Sequence, residues 1–168
     1  MNKKILIVAI IALALDQVSK IIVSSFLTLN NSLEVIKGFF YLTLCHNEGV
    51  AWGLFSNLPI LTIIFALVAM VIIYHFIYCF KKNLRNNIAF GLLLGGLAGN
   101  LLDRLIFGYV RDFIDLIIIK YDYPVFNIAD MCIVIGVILL IIAMVKGEEL
   151  NVNKSNNRKR KNRQIPSE

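Results

Sequence analysis

The chain has 168 residues, 58% of them hydrophobic and only 17% charged, with a mean hydropathy of +0.76; that composition excludes an ordinary soluble domain and predicts a protein held mostly in lipid. A net charge of +6 would point to nucleic acid in a soluble protein. Here much of the excess sits in a polar tail from Lys146 onward, where Arg158, Lys159, Arg160, Lys161 and Arg163 cluster without an aromatic-interleaved basic fold, so no nucleic-acid partner is expected.

Four apolar stretches are each long enough to cross a hydrocarbon core as helices: about 5–27, 58–80, 88–107 and 127–145. The first begins like a secretory signal, with Lys3 and Lys4 before an apolar run, but the run resumes at Ile21 after Asp16 and Lys20. It therefore reads as one long span. Asp16 and Lys20 are one helical turn apart, acid before base, a spacing at which they pair and lower the cost of burying either charge. An even number of spans puts both ends on one side. Lys3 and Lys4, the connection carrying Lys81, Lys82 and Arg85, and the tail hold most of the 17 basic residues. Those segments are expected to face the cytoplasm.

Residues 28–57 and 108–126 then lie on the outer side. The first contains Phe39-Phe40-Tyr41-Leu42-Thr43-Leu44, rich in β-formers, and the turn-like Asn47-Glu48-Gly49. It predicts a small β platform at the membrane surface, because open sheet edges are not tolerated within lipid. Trp52, Tyr41, Phe39 and Phe40 read as interfacial aromatics. The expected fold is thus an all-α membrane protein, four transmembrane helices with a small extracytoplasmic β platform. One integral-membrane domain covers residues 1–146, and a basic, disordered cytoplasmic tail covers 147–168.

Ionisable residues at a membrane edge are costly and usually functional. They gather here toward the outer face: Asn100, Asp103 and Arg104 near the end of the third span, Asp112 eight residues on, and Asn127 and Asp130 at the start of the fourth. The third helix runs outward and the fourth returns, so Asp112 and Asp130 fall at similar depth. Gly91, Gly95 and Gly99, spaced at four, form a bare stripe for close helix packing that Asp103 continues. Two close carboxylates at low dielectric share one proton and titrate as a unit, which is what peptide hydrolysis by general acid and base requires. No HExxH or GxSxG motif competes. Cys45-His46 is a poor nucleophile and base, since neighbours on a strand point to opposite faces. Cys45, Cys79 and Cys132 stand in no metal-ligand spacing and the acids lack the His or Cys companions of a zinc site, so no metal or cofactor is implied. Residue physics alone leaves Asp112 and Asp115 as alternatives. It also leaves two other functions open: a small proton-coupled carrier using Asp16, Asp103 and Asp130 as a relay, and a non-catalytic four-span assembly protein.

Five segments taken together are more specific. Asp16-Gln17-Val18-Ser19-Lys20, Asn47-Glu48-Gly49-Val50-Ala51-Trp52-Gly53, 95–104 (Gly-Gly-Leu-Ala-Gly-Asn-Leu-Leu-Asp-Arg), Val110-Arg111-Asp112-Phe113 and Phe126-Asn127-Ile128-Ala129-Asp130 resemble, in order, the motifs of the bacterial lipoprotein signal peptidases. The resemblance implies a membrane-embedded aspartic endopeptidase that removes the signal peptide of a prolipoprotein, cutting before a Cys that already carries diacylglyceryl. It favours Asp112 over Asp115 and makes Asp112 and Asp130 the catalytic pair. Asp16, Lys20, Asn47, Gly49, Asn100, Asp103, Arg104, Asn127 and Ala129 match positions that bind substrate or brace the site. Leu97 and Arg111 read as variable. The resemblance further implies lipid-modified prolipoproteins and membrane lipids as partners. It places a monomer in the bacterial cytoplasmic (inner) membrane, with both termini cytoplasmic and the active site toward the outer face.

Overall fold

The computed structural model describes residues 2–49, 59–119 and 121–150. Residues 50–53 of the second motif, Trp52 included, the start of the second span at Leu58 and the tail from 151 lie outside the described residues.

Four helices carry the chain: α1 (Lys3–Phe26), α2 (Pro59–Phe76), α3 (Leu84–Phe107) and α4 (Ile128–Val145), α2 being extended by a 3₁₀ turn at Ile77–Cys79. All four are long and apolar enough to cross a membrane. Local chemistry sets their ends. The Asn2 side chain accepts the amide of Lys4 at the start of α1, Asn83 accepts that of Asn86 at the start of α3, and α3 stops at Gly108, whose φ of 84° is the left-handed cap that glycine adopts without a Cβ clash. Large apolar side chains point outward: Leu15 on α1 is 59% exposed and Val134 on α4 57%. A surface like this would aggregate in water and is ordinary in lipid.

α3 is the central helix, with α1 and α4 packed along it and α2 more loosely at its side. Small residues set that closeness. A methyl group at Gly95 would come within 2.6 Å of the Ala9 carbonyl oxygen on α1, and one at Gly96 within 2.5 Å of the Ala129 carbonyl oxygen on α4. Gly91 likewise faces Val8 on α1. At the basic end of the bundle Ile5, Ile77, Phe80, Phe90 and Ala143 form an apolar cluster. There the chain beyond α4 stays attached: Leu150 N–H donates to the Cys79 carbonyl, Lys81 N–H donates to that of Glu148, and Arg85 pairs with the Glu148 carboxylate.

The opposite end carries the expected β platform, which makes the fold four helices plus a sheet and not helical throughout. A four-stranded antiparallel sheet in the order β1 (Ser32–Ile36), β2 (Phe40–Asn47), β3 (Val110–Ile118), β4 (Tyr121–Asp122) lies there. The platform expected from residues 39–53 is therefore built from both connecting segments, with β3 supplied by one that sequence patterning left unassigned. The β2–β3 register sets Cys45 opposite Asp112 and Asn47 opposite Val110. Phe126 exchanges backbone hydrogen bonds with Ile114, which ties the residues just before α4 to β3 and so holds the start of α4 beside Asp112.

Candidate active site

Asn127 starts the site. It caps α4 in a reciprocal box: its side-chain oxygen accepts the Asp130 amide at 2.9 Å, and its own amide donates to Asp130 Oδ2 at 3.2 Å. Its Nδ2 then reaches β3 and donates to Asp112 Oδ1 at 2.6 Å. One fully buried residue thus links the two carboxylates, its side chain holding that of Asp112 and its backbone N–H that of Asp130. Each acid has a second donor: Asn47 Nδ2 lies 2.9 Å from Asp112 Oδ2, and Asn100 Nδ2 lies 2.7 Å from Asp130 Oδ1.

The amides face this way because of what stands behind them. Asn100 Oδ1 accepts from Lys20 Nζ and from Asn127 Nδ2, both at 3.0 Å, which leaves its Nδ2 for Asp130. Lys20 is 0% exposed and spends its three protons on Asn100, on Asp16 at 2.8 Å and on Asp103 at 3.4 Å. The i, i+4 pair read from the sequence is present. Asp16 also accepts the Ala129 amide at 2.9 Å, so α1 holds a first-turn N–H of α4. Gly99 makes room for it: a Cβ there would sit 2.5 Å from Asp16 Oδ2.

Asp112 is 2% exposed. Burial, and then the charge of Asp130, push its carboxyl up to about 7, against the pull of hydrogen bonds from Asn47 and Asn127. Asp115 is placed differently. Three residues on along the strand, it accepts from Thr43 Oγ1 at 2.6 Å and does not line the cavity that Asp112 and Asp130 share. Nor do Cys45 and His46 form a nucleophile and base: the His46 ring stacks on Tyr109 at 3.7 Å, and burial raises the Cys45 thiol.

That cavity has a volume of about 830 Å³. Its polar wall includes Asn47, Gly49, Asn100, Arg104, Asp112 and Asp130; its apolar wall includes Phe65, Ala66 and Ala69 of α2, Leu97 of α3, and Ile133 and Val134 of α4. Arg104 reaches across it to the Gly49 carbonyl at 2.8 Å, while its Nε has no partner among the described residues. The wall of a largely apolar cleft thus holds two acids linked through one asparagine, groups able to give and take protons.

Residues 8–146 match the family model described as signal peptidase (SPase) II, Peptidase_A8. The chain belongs to the signal peptidase II family. It is 40% identical over 142 residues to the lipoprotein signal peptidases of Staphylococcus aureus strains JH9 and Newman, covering 84% of this chain and 87% of each relative. Two solved structures, described as bacterial membrane enzymes determined by the in meso method at 2.3 and 1.9 Å resolution, superpose with TM-scores of 0.78 and 0.77 at 37% identity. They cover 87% of this chain and 90% and 95% of theirs.

The signal peptidase II motifs map onto this network in two ranks. Asn47, Asn100 and Asn127 touch the two aspartates; Lys20 stands behind Asn100, with Asp16 and Asp103 on its ammonium and the Ala129 amide on Asp16; Gly49 and Arg104 join each other at the cavity wall. Leu97 lines the cavity, whereas Arg111 does not. Sequence patterning missed two residues of the supporting rank. Gln17 donates to Asp16, Gly99 and Asp103. Arg111, read as variable, is 8% exposed and pairs with Asp103 at 2.8 Å. A charge count held the missing signal: two buried acids, Asp16 and Asp103, cannot be neutralised by Lys20 alone, and a second cation has to lie nearby.

Proposed function

We propose that this signal peptidase II family member cleaves diacylglyceryl-modified prolipoproteins just before the lipidated Cys, with Asp112 and Asp130 as its catalytic aspartates. The observation that carries the reading is the Asn127 bridge, which holds both carboxylates in the wall of one cleft. The pair shares one proton. The ionised member takes a proton from water as its oxygen attacks the scissile carbonyl carbon, and the protonated member gives its proton to the carbonyl oxygen. Collapse of the tetrahedral intermediate breaks the C–N bond, and the departing amine takes a proton from the dyad. Arg104, with a donor to spare, is suited to the oxygen on which charge develops.

The apolar wall between α2 and α4 supports lateral entry of an apolar signal segment and its acyl chains from the bilayer. Lys3, Lys4, Lys81, Lys82 and Lys146 at the far end favour a cytoplasmic side there, which puts the dyad at the outer face of the cytoplasmic membrane. A single domain and a monomer suffice, since every group named comes from one chain. The acids of the site share one hydrogen-bond network at one end of the bundle, an arrangement suited to hydrolysis and not to a proton relay through the membrane's depth.

The purified chain in detergent is expected to convert a diacylglyceryl-modified precursor into a mature form whose first residue is the lipidated Cys, read by mass spectrometry. Asp112→Asn and Asp130→Asn should fold and lose at least about 10³-fold in kcat. Normal processing by either variant contradicts the assignment.

A further inference from the structure

The side of β3 away from the dyad carries a second, buried electrostatic assembly. Neighbours on a strand point to opposite faces, so while Asp112 faces Asn127, Arg111 turns back toward α1 and α3. Its backbone N–H donates to Asp103 Oδ2 at 2.9 Å, its Nε to the same oxygen at 3.2 Å, and its Nη2 to Asp103 Oδ1 at 2.8 Å. Nη2 also reaches Gln17 Oε1 at 3.1 Å, and the guanidinium lies 4.6 Å over the Phe107 ring. This is a two-point fork on a carboxylate that is 0% exposed, the geometry in which arginine differs most from other cations.

Its consequence lies in charge. Asp16 and Asp103 bring two negative charges to a site closed to solvent and Lys20 brings one positive; Arg111 brings the second and closes the balance. Without it Asp103 would be an uncompensated buried anion beside Lys20, which already stands 3.4 Å away. The ammonium would be drawn toward Asp103 and off Asn100 Oδ1, and Asn100 is the amide that aims its NH₂ at Asp130.

We infer that Arg111 is a positioning residue of the peptidase: by forking onto Asp103 it neutralises the Asp16–Lys20–Asp103 cluster and leaves Lys20 to hold Asn100 in the orientation that presents Asp130. It acts through Asp103, Lys20 and Asn100 in turn and touches neither carboxylate of the dyad. The inference rests on the dyad proposed above and adds a requirement that the dyad alone does not carry, charge balance behind the site.

The test compares Arg111→Met, Arg111→Lys and the double variant Asp103→Asn/Arg111→Met, each as the full chain with a diacylglyceryl-modified precursor peptide, with kcat normalised to folded protein. Losing the oriented amide is expected to lower kcat of Arg111→Met by about tenfold to a hundredfold, with KM within about threefold of the parent. Arg111→Lys, which keeps the charge but loses the two-point fork, should fall between Arg111→Met and the parent in kcat. The double variant, which again leaves the cluster neutral, should recover about tenfold over Arg111→Met although it has no guanidinium. Parental kcat in Arg111→Met overturns the inference, as does a double variant no faster than the single. If Arg111→Met does not fold, a double variant that folds and cuts supports charge balance, and one that also fails overturns it. Asp112→Asn and Asp130→Asn run alongside: activity in either sinks the dyad, whereas inactive Asn variants beside a fast Arg111→Met sink this inference alone.

Discussion

The two ends of the bundle are closed by opposite means. At the basic end Ile5, Ile77, Phe80, Phe90 and Ala143 form an apolar cluster, and the one ion pair there among the described residues, Arg85 with Glu148, is partly exposed. At the other end Asp16, Lys20, Asp103, Asp112 and Asn127 are almost wholly buried and held by hydrogen bonds. Apolar packing suffices where helices need only stay together, because dispersion contacts tolerate small shifts. Hydrogen bonds are used where two acids face one cavity, because they fix direction as well as distance.

Substitutions at the two ends should separate activity from stability. After the two aspartates themselves, the largest effect is expected from Asn127→Ser, which keeps a helix cap but deletes the Nδ2 that joins Asp112 to Asn100: about 10²–10³-fold in kcat, measured on folded protein. Phe90→Ala, at the other end, removes a ring stacked edge-on against Phe80 at 5.6 Å. Its unfolded reference also lies in an apolar medium, so the loss is packing alone, about 1–2 kcal/mol by thermal unfolding in detergent, with kcat within about twofold. A Phe90 variant that lost activity in proportion to stability would dissolve the distinction between the ends.

The legible parts of the molecule were those whose physics is local. A span of about twenty apolar residues has few alternatives in lipid, and the expected bounds, such as 127–145 for Ile128–Val145, differ from the helices by a few residues at most ends. Asp16 and Lys20, one turn apart, were equally readable as a pair. β3 was not: its first four residues are buried on both faces, so Val110-Arg111-Asp112-Phe113 shows no alternation to mark a strand. Arg111 was illegible for a related reason. Beside an acid in a connecting segment it reads as solvated, and only the turn at Gly108 brings it back onto Asp103. Residue physics left Asp112 and Asp115 as alternatives and only the motif resemblance favoured Asp112; the cavity separates them, since three residues along a strand put them on opposite faces.

Carboxyl titration by infrared difference spectroscopy tests the central claim, that Asp112 and Asp130 are electrostatically one unit. The C=O band that vanishes in Asp112→Asn should titrate near pH 7 in the parent enzyme, and cleavage should fall as pH rises through that value and the shared proton is lost. In Asp130→Asn, where the neighbouring charge is gone, the Asp112 band should move to lower pH while burial keeps it above the ordinary carboxylate range. A band that titrates near pH 4 in the parent, or that stays put when Asp130 is neutralised, would contradict the account.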